Sequence, residues 1–538
     1  MKLLINYFHL GITMTNKTIQ SLINKSNKGS LEASYQLYEN YLNGKHVEID
    51  EDTANLYKKR TIDIFRKNKL ILTDIKLLNY KRFKELTINF SPKTTIIIGN
   101  NGTGKTTILD SISKSLSWLS GKITSSTSGG RGQLINEMEI NNHVENDEYT
   151  TIVSSFETAK KQKHSIELFK SRNATTLSQR SQVDAFTTLA KLYKLLNTEN
   201  DNASLPLLAF YSVHRSSEIS LSDSDTQTVN SNLFDKKLGY EKSLNGKIDF
   251  QNFFKWFSYI YDLSLETKTK NNSDDINKKI IELLKDNSLD KLRSELQRIT
   301  ESASLNSPNN DVATKIVNSI NTAITSFIPE LSNIKLTRIP KLDLSIEKNG
   351  IPLSVLQLSQ GEKSLIFLIS DIARRLTILN PESDNPLLGS GIVLIDEIDL
   401  HLHPKWQQSV IKNLENTFKN IQFIITTHSP QVLSTIKKEN IRILDIDIED
   451  NDIAAIPISH TYGEASNYIL KSVMNVDPTP PTEENKKLKK LMSYVDQGDH
   501  ETEGALDLLK ELELSLGDTH SQIQAIKRSI RRQKALNQ

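Results

Sequence analysis

The chain has 538 residues, 37% of them hydrophobic and 25% charged, with a formal net charge of +2 and no cysteine. That length and composition predict several soluble domains, and the near-balanced charge neither demands nor excludes a nucleic-acid partner. The lack of cysteine excludes disulfides and cysteine-ligated zinc and points to a reducing cytoplasm, and no apolar run approaches the ~18 residues that a membrane span needs.

The opening MKLLINYFHLGITM resembles a signal peptide only superficially. Asn6, Tyr7 and His9 interrupt the apolar run, and no small-residue cleavage site follows. Met14 reads as an alternative start, which makes residues 1–13 an expected upstream extension. Residues 17–66 read as helices. Ser30 to Tyr41, then Asn43-Gly44, then Ala54, Leu56 and Tyr57 resemble one unit of a Sel1-type helical repeat, or a plain helical pair packed on the next domain.

From Leu70 the period changes. Leu70–Tyr80 and Lys84–Phe90 alternate apolar and polar residues, as half-buried strands do. Thr94–Ile98 is a β-branched run that enters Gly99-Asn100-Asn101-Gly102-Thr103-Gly104-Lys105-Thr106-Thr107. Apolar residues at helical spacing (Ile108, Leu109, Ile112, Leu116) come next. A strand, G-x-x-x-x-G-K-T and a helix together make a phosphate loop: backbone N–H groups curl around a phosphate and the helix N-terminus adds partial positive charge. Lys105 then reaches the β- and γ-phosphates of ATP, and the Thr106 hydroxyl ligates Mg²⁺.

Residues 119–333 read as an insertion outside the sheet core. Ser120–Gly132, rich in Gly, Ser and Thr, is expected to be a mobile loop, and Leu134–Lys170 alternates in hairpin-like segments. Residues 183–198 read as helix, Leu205–Val213 as a buried strand, and residues 274–328 as mostly helical with a break at Ser307-Pro308. The Phe/Trp/Tyr cluster at 250–261 suits core packing better than base stacking.

Leu342–Ile346 and Ile351–Leu356 flank Asn349-Gly350, a strong hairpin signal. Directly after stands Leu358-Ser359-Gln360-Gly361-Glu362, opening a helix. Gly391–Trp406 reads GIVLIDEIDLHLHPKW. Ile392–Ile395 has the pattern of a strand buried on both faces of a parallel sheet, and it delivers Asp396 and Glu397 to the carboxyl edge, where such folds bind ligands. Asp396 suits holding Mg²⁺ and Glu397 suits orienting an attacking water; the plainer alternative is a solvated acidic turn. Phe423–Thr426 is a further strand, closing at Thr427-His428-Ser429-Pro430. Leu444–Glu449 carries acids at alternate positions and reads as an edge strand with solvated carboxylates rather than a two-metal nuclease site. After Ile456 comes a stiff Pro-rich linker at 477–482, two helices at 483–497 and 501–516, and a basic helix at 519–536 that suits nucleic acid or an acidic partner.

Four motifs thus stand in one order: a phosphate loop, LSQGE, a strand ending in Asp-Glu and a strand ending in His. Ser359 and the Gly361 N–H reach a nucleotide only if LSQGE caps a helix aimed at a γ-phosphate, and in this arrangement that phosphate belongs to a second copy. The set resembles the signature of ABC-type ATPases of the cytosolic branch that includes the RecF, SMC and OLD proteins. In overall layout it resembles PtuA, the ATPase family of Septu and retron-associated anti-phage systems.

The resemblance implies an α/β fold: an ABC-type head with a mixed, largely parallel sheet, a β/helical insertion and small helical ends. It divides the chain into 1–66, 67–118, 119–333, 334–456 and a partner-binding 457–538. It makes Glu397 the catalytic base, His428 a γ-phosphate sensor, Asp399-Leu400-His401 a D-loop, and Asp396 with Thr106 the Mg²⁺ ligands. It implies a homodimer or higher oligomer, an HNH nuclease partner of the PtuB kind and, in retrons, a reverse transcriptase with its msDNA, but no membrane. Two other readings stay open: a RecF- or SMC-like repair ATPase acting directly on DNA, and an ATP-binding scaffold with little turnover.

Overall fold

The computed structural model describes residues 17–65, 69–126, 129–141, 149–158, 162–172, 180–199, 204–213, 235–246, 253–265, 308–338, 342–446 and 452–536. Among them no helix is long and apolar enough to cross a membrane. The chain forms two compact units, Met1–Gly463 and Glu464–Gln538.

The first unit opens with helices α1 (17–27), α2 (Leu31–Asn43) and α3 (Glu51–Phe65). Ser30 caps α2 by accepting from the Ala33 N–H, and Gly44 ends it at φ 65°, a conformation that suits a residue without Cβ. Ile19, Leu37 and Tyr57 form the core of this helical piece.

Next come β1 (Ile71–Tyr80), β2 (Phe83–Asn89), β3 (Thr94–Ile98) and α4 (Lys105–Thr124). They are followed by β4 (Tyr149–Thr158), β5 (Gln162–Ser171), α5 (Asp184–Glu199), β6 (Leu207–Tyr211), α6 (253–265) and α7 (Pro308–Phe327). A small meander of β7 (Leu331–Thr337), β8 (Asp343–Lys348) and β9 (Ile351–Ser354) leads into α8 (Gln360–Leu379). The unit finishes with β10 (Gly391–Ile395), α9 (Val410–Thr417), β11 (Ile421–Thr426), β12 (Ile441–Ile446) and β13 (Asp452–Ala455).

The main sheet has the order β13-β12-β3-β11-β10-β6 and is parallel except at β12–β13. An antiparallel sheet, β2-β1-β4-β5, covers the other side of α4. Buried between two sheets, α4 carries small serines where a surface helix would show charge. Ser111, Ser115 and Ser117 return their hydroxyls to carbonyls of their own helix, and Ser115 also meets Ser154 Oγ of β4 at 2.8 Å. Gln422 stitches the sheets together, donating to Leu72 O and accepting from Leu72 N, both at 2.8 Å.

Several expectations need correction. The 119–333 stretch does not stand outside the sheets, because β4 and β5 extend the antiparallel sheet and β6 pairs with β10 of the main one. The segment from Ser120 is not a loop at its start, since α4 continues to Thr124. Its glycines permit close return of the chain: a Cβ on Gly121 would lie 2.3 Å from Arg131 O, and one on Gly132 2.5 Å from Trp118 N. Leu444 and Asp445 are not on an edge strand, because β12 lies between β3 and β13; Asp447 and Glu449 lie outside the described residues, as do 274–307. The expected hairpin turn is present, with Asn349 and Gly350 at φ 51° and 80°.

The second unit contains α10 (Ser466–Ser472), α11 (Glu483–Asp496), α12 (Glu503–Leu516) and α13 (Ser521–Leu536). The last three bury Leu488, Leu491, Val495, Ala505, Leu512, Ile523 and Ile526 against one another. On α13 the two lysines are matched within the unit, Lys527 by Glu513 and Asp518 and Lys534 by Glu501.

Candidate functional site

The site forms where β3, β10 and β11 end together at the carboxyl edge of the main sheet. Gly99 follows β3; Asn100, Asn101 and Gly102 are at the surface rim of the turn, and Thr103 donates to Asn100 O at 2.9 Å. Gly102 and Gly104 take φ 79° and 94°. A Cβ on Gly104 would come within 2.4 Å of the Phe83 ring, so only glycine fits where the loop passes under β2. Arg82, beside that ring, donates to Gly102 O at 2.6 Å and thereby props the loop.

Lys105 begins α4 and is buried, its ammonium bonded to the loop carbonyls of Gly99 (2.9 Å) and Asn100 (3.0 Å). Burial pushes its pKa down, against the pull of Glu397, Asp396 and Asp399. Thr106 donates to Asp396 Oδ2 at 2.8 Å, and Thr107 sits beside it in the first turn of α4. A hydroxyl and a carboxylate so placed form the hard oxygen pair that Mg²⁺ prefers.

Asp396 is buried at the end of β10, and its second oxygen accepts from Thr426 Oγ1 at 2.5 Å. The same Thr426 hydroxyl accepts from the Glu397 N–H at 2.7 Å. Glu397 takes φ 46°, a left-handed conformation unusual for a residue with a Cβ, so the chain turns sharply as it leaves the strand. Thr427 and the His428 N–H both donate to Asp399 Oδ1, at 2.6 and 3.4 Å. His403, which with His401 could suggest a metal set, instead caps the turn Pro404–Gln407 through Nδ1.

LSQGE lies against the turn at His401 that follows β10. Leu358 is buried, and Ser359 is the N-cap of α8 in a reciprocal capping box with Glu362. Gln360 and Gly361 form the first turn, and a Cβ on Gly361 would lie 2.4 Å from His401 O. Glu362 Oε1 also meets Lys348 Nζ at 2.6 Å. The structure therefore joins Thr106, Asp396, Thr426 and the Glu397 backbone in one hydrogen-bonded set, holds the Lys105 ammonium on the loop carbonyls beside it, and packs Gly361 against His401 O.

One participant went unnoticed in the sequence. Thr426 bonds both acids of β10, and its only signal was a polar pair, Thr426-Thr427, ending an apolar strand. Arg82 donates to Gly102 O of the phosphate loop, a contact that no local pattern around Asn79–Phe83 announces. Gln133 donates to Leu244 O and Asn245 Oδ1 at 3.5 and 3.4 Å.

A phosphate loop, an Asp-Glu strand end and an LSQGE-capped helix on one largely parallel sheet form the α/β core of an ATPase domain. Residues 70–433 match the family model described as an AAA ATPase domain. The "Retron Ec83 probable ATPase" of Escherichia coli is 37% identical over 508 residues, which are 88% of this chain and 89% of that one. The "Retron Vc95 probable ATPase" of Vibrio cholerae serotype O1 biovar El Tor is 36% identical over 510 residues, 93% and 98% of the two chains. The Septu protein PtuA of Bacillus thuringiensis is 33% identical over 128 residues, 23% and 32% of the two. The chain belongs to the AAA ATPase domain family and, within it, to the PtuA-like, retron-associated ATPases.

Proposed function

We propose that this chain binds Mg·ATP at the loop 99–107, hydrolyses it in a head-to-head assembly of two or more copies, and so controls a partner nuclease of the HNH type. The observation that carries the reading is the 2.8 Å contact between Thr106 Oγ1 and Asp396 Oδ2, which puts two metal-suited oxygens beside the lysine of the loop. Lys105 would exchange its loop carbonyls for phosphate oxygens, and its burial makes that charge count for more than in water. Mg²⁺ held by Thr106 and Asp396 would neutralise charge on the phosphates. Glu397 would orient the attacking water and take its proton. His428 would meet the γ-phosphate, and Leu358, Ser359, Gln360, Gly361 and Glu362 would close on the ATP of the second copy.

The nuclease partner, and a reverse transcriptase with its msDNA in a retron setting, are supported by the kind of relatives the chain has. The second unit, Glu464–Gln538, is the docking piece in this reading, and the cytoplasm its location. Glu397→Gln tests the chemistry: it retains ATP, loses about 10²–10⁴ of turnover, and accumulates as an ATP-dependent dimer in light scattering. Turnover at the wild-type rate removes Glu397 from the mechanism. Co-purification with neighbouring gene products, with and without ATP, tests the partner; recovery of this chain alone in both conditions refutes that part.

A further inference from the structure

The buried acid Asp371, at the middle of α8, joins three parts of the first unit. Tyr211 Oη donates to its Oδ2 at 2.9 Å, and Arg375 Nε donates to the same oxygen at 2.7 Å. Arg374 grips Oδ1 through Nη2 and Nε at 2.7 and 3.0 Å. Arg375 then donates to Gly239 O and Glu241 O at 2.9 and 3.0 Å, and the Arg374 guanidinium lies 5.2 Å from the centre of the Trp256 ring. Both 236–241 and Trp256 lie in the 119–333 stretch, between β6 and β7. At the other end, the main chain of Tyr211 accepts the Asp396 N–H at 2.8 Å, where β6 and β10 finish side by side.

We propose that Tyr211 is a positioning residue for ATP turnover, coupling the Asp396 end of β10 to α8 and, through Asp371 and its arginines, to 236–241 and Trp256. The inference rests on the ATP-hydrolysis reading above. Ser359 caps the same rigid helix roughly 18 Å from Asp371, at ~1.5 Å per residue, so a tilt of α8 at Asp371 moves the LSQGE end. A buried ion cluster is weak as a stabilising device, because well-packed apolar residues often do as well. Its value lies in fixing one arrangement of three elements. The cluster's atoms reach a Walker-type acid on one side and a tryptophan on the other, which makes the coupling observable.

The test uses the full chain with Trp118→Phe and Trp406→Phe, leaving Trp256 as the one tryptophan of the three. ATP should change Trp256 emission in this parent. Adding Tyr211→Phe, which removes one hydroxyl and leaves both arginines on Asp371, should abolish that change. Turnover should fall at least tenfold, with KM for ATP within twofold and fluorescent ATP still bound one per chain. Unaltered kcat with an unaltered Trp256 response overturns the proposal, as does a loss of kcat matched by an equal loss of nucleotide-binding chains, the mark of a purely structural role. If the parent shows no turnover sensitive to Lys105→Ala, the ATP-hydrolysis reading fails instead, and the Trp256 response to bound ATP still judges the coupling.

Discussion

The loop end and the signature end of the proposed clasp are built in different ways. At the loop end, polar atoms from three elements converge: Lys105 and Thr106 from the start of α4, Asp396 from β10 and Thr426 from β11. At the signature end, among the described residues, Ser359 bonds only within its own turn, hydroxyl and N–H both meeting Glu362 Oε2 at 2.8 and 2.9 Å. The first set closes within one chain, its hydrogen bonds running between segments remote in sequence. The second is, within one chain, an ordinary helix cap; the proposed clasp would have another copy present a phosphate to it. A cap alone orients N–H groups but selects no ligand.

Lys105→Ala sharpens that contrast most. It removes a buried ammonium that no other residue of the loop can replace, and the expected cost is about 10²–10³ in turnover, the scale of losing one preorganised donor, together with weaker ATP binding in equilibrium titration. Full ATP affinity in this variant would move the nucleotide away from the loop end. Ser359→Ala comes next. If the serine serves only its own helix, thermal unfolding shows a loss of about 1 kcal/mol and turnover is unchanged. If it serves a second copy, turnover falls about tenfold, the worth of one hydrogen bond to a charged oxygen, while ATP binding to the isolated chain stays the same. The second outcome is expected, and the first would reduce LSQGE to a cap.

The same contrast explains what the sequence disclosed. The phosphate loop, the Asn349-Gly350 turn and the Ser359–Glu362 capping box are local: each is written in a few adjacent residues whose backbone needs are specific. The buried character of β3, β10 and β11 was legible too, because β-branched runs have no polar face to hide. What was not legible depends on pairing across long gaps. Nothing in Tyr149–Thr158 says that it will lie beside β1, or in Leu207–Tyr211 that it will lie beside β10. The assignment of 119–333 as a body apart failed for that reason. Thr426 is invisible for the same reason: a threonine ending an apolar strand becomes a ligand of Asp396 only after β10 and β11 align. The serine-rich stretch after Leu109 was legible as helix only in its first turns, because serines favour loops unless burial between two sheets demands small residues.

The smallest expected effect concerns the ion pair that steadies the signature end. Burial raises the pKa of Glu362, but Lys348 and the hydroxyl and N–H of Ser359 outweigh it and hold the carboxyl below its usual range. A depressed folded-state pKa adds stability that is full above the unfolded value, ~4.3, and is lost as pH falls through the folded value. The stability gap between wild type and Glu362→Gln in urea unfolding should therefore be constant near neutrality and close below about pH 4.3. A gap that does not change with pH would mean that packing alone, and not the charge, holds the cap. Lys348→Ala should cost less, about 1 kcal/mol at most, because the lysine side chain is 34% exposed while its partner is 6% exposed. Ser359 still bonds Glu362 in that variant, so the carboxylate keeps its place at the helix start. ATP turnover should then match wild type at low and high salt alike, and a salt-dependent loss would show that Lys348 steadies the signature end from outside its own turn.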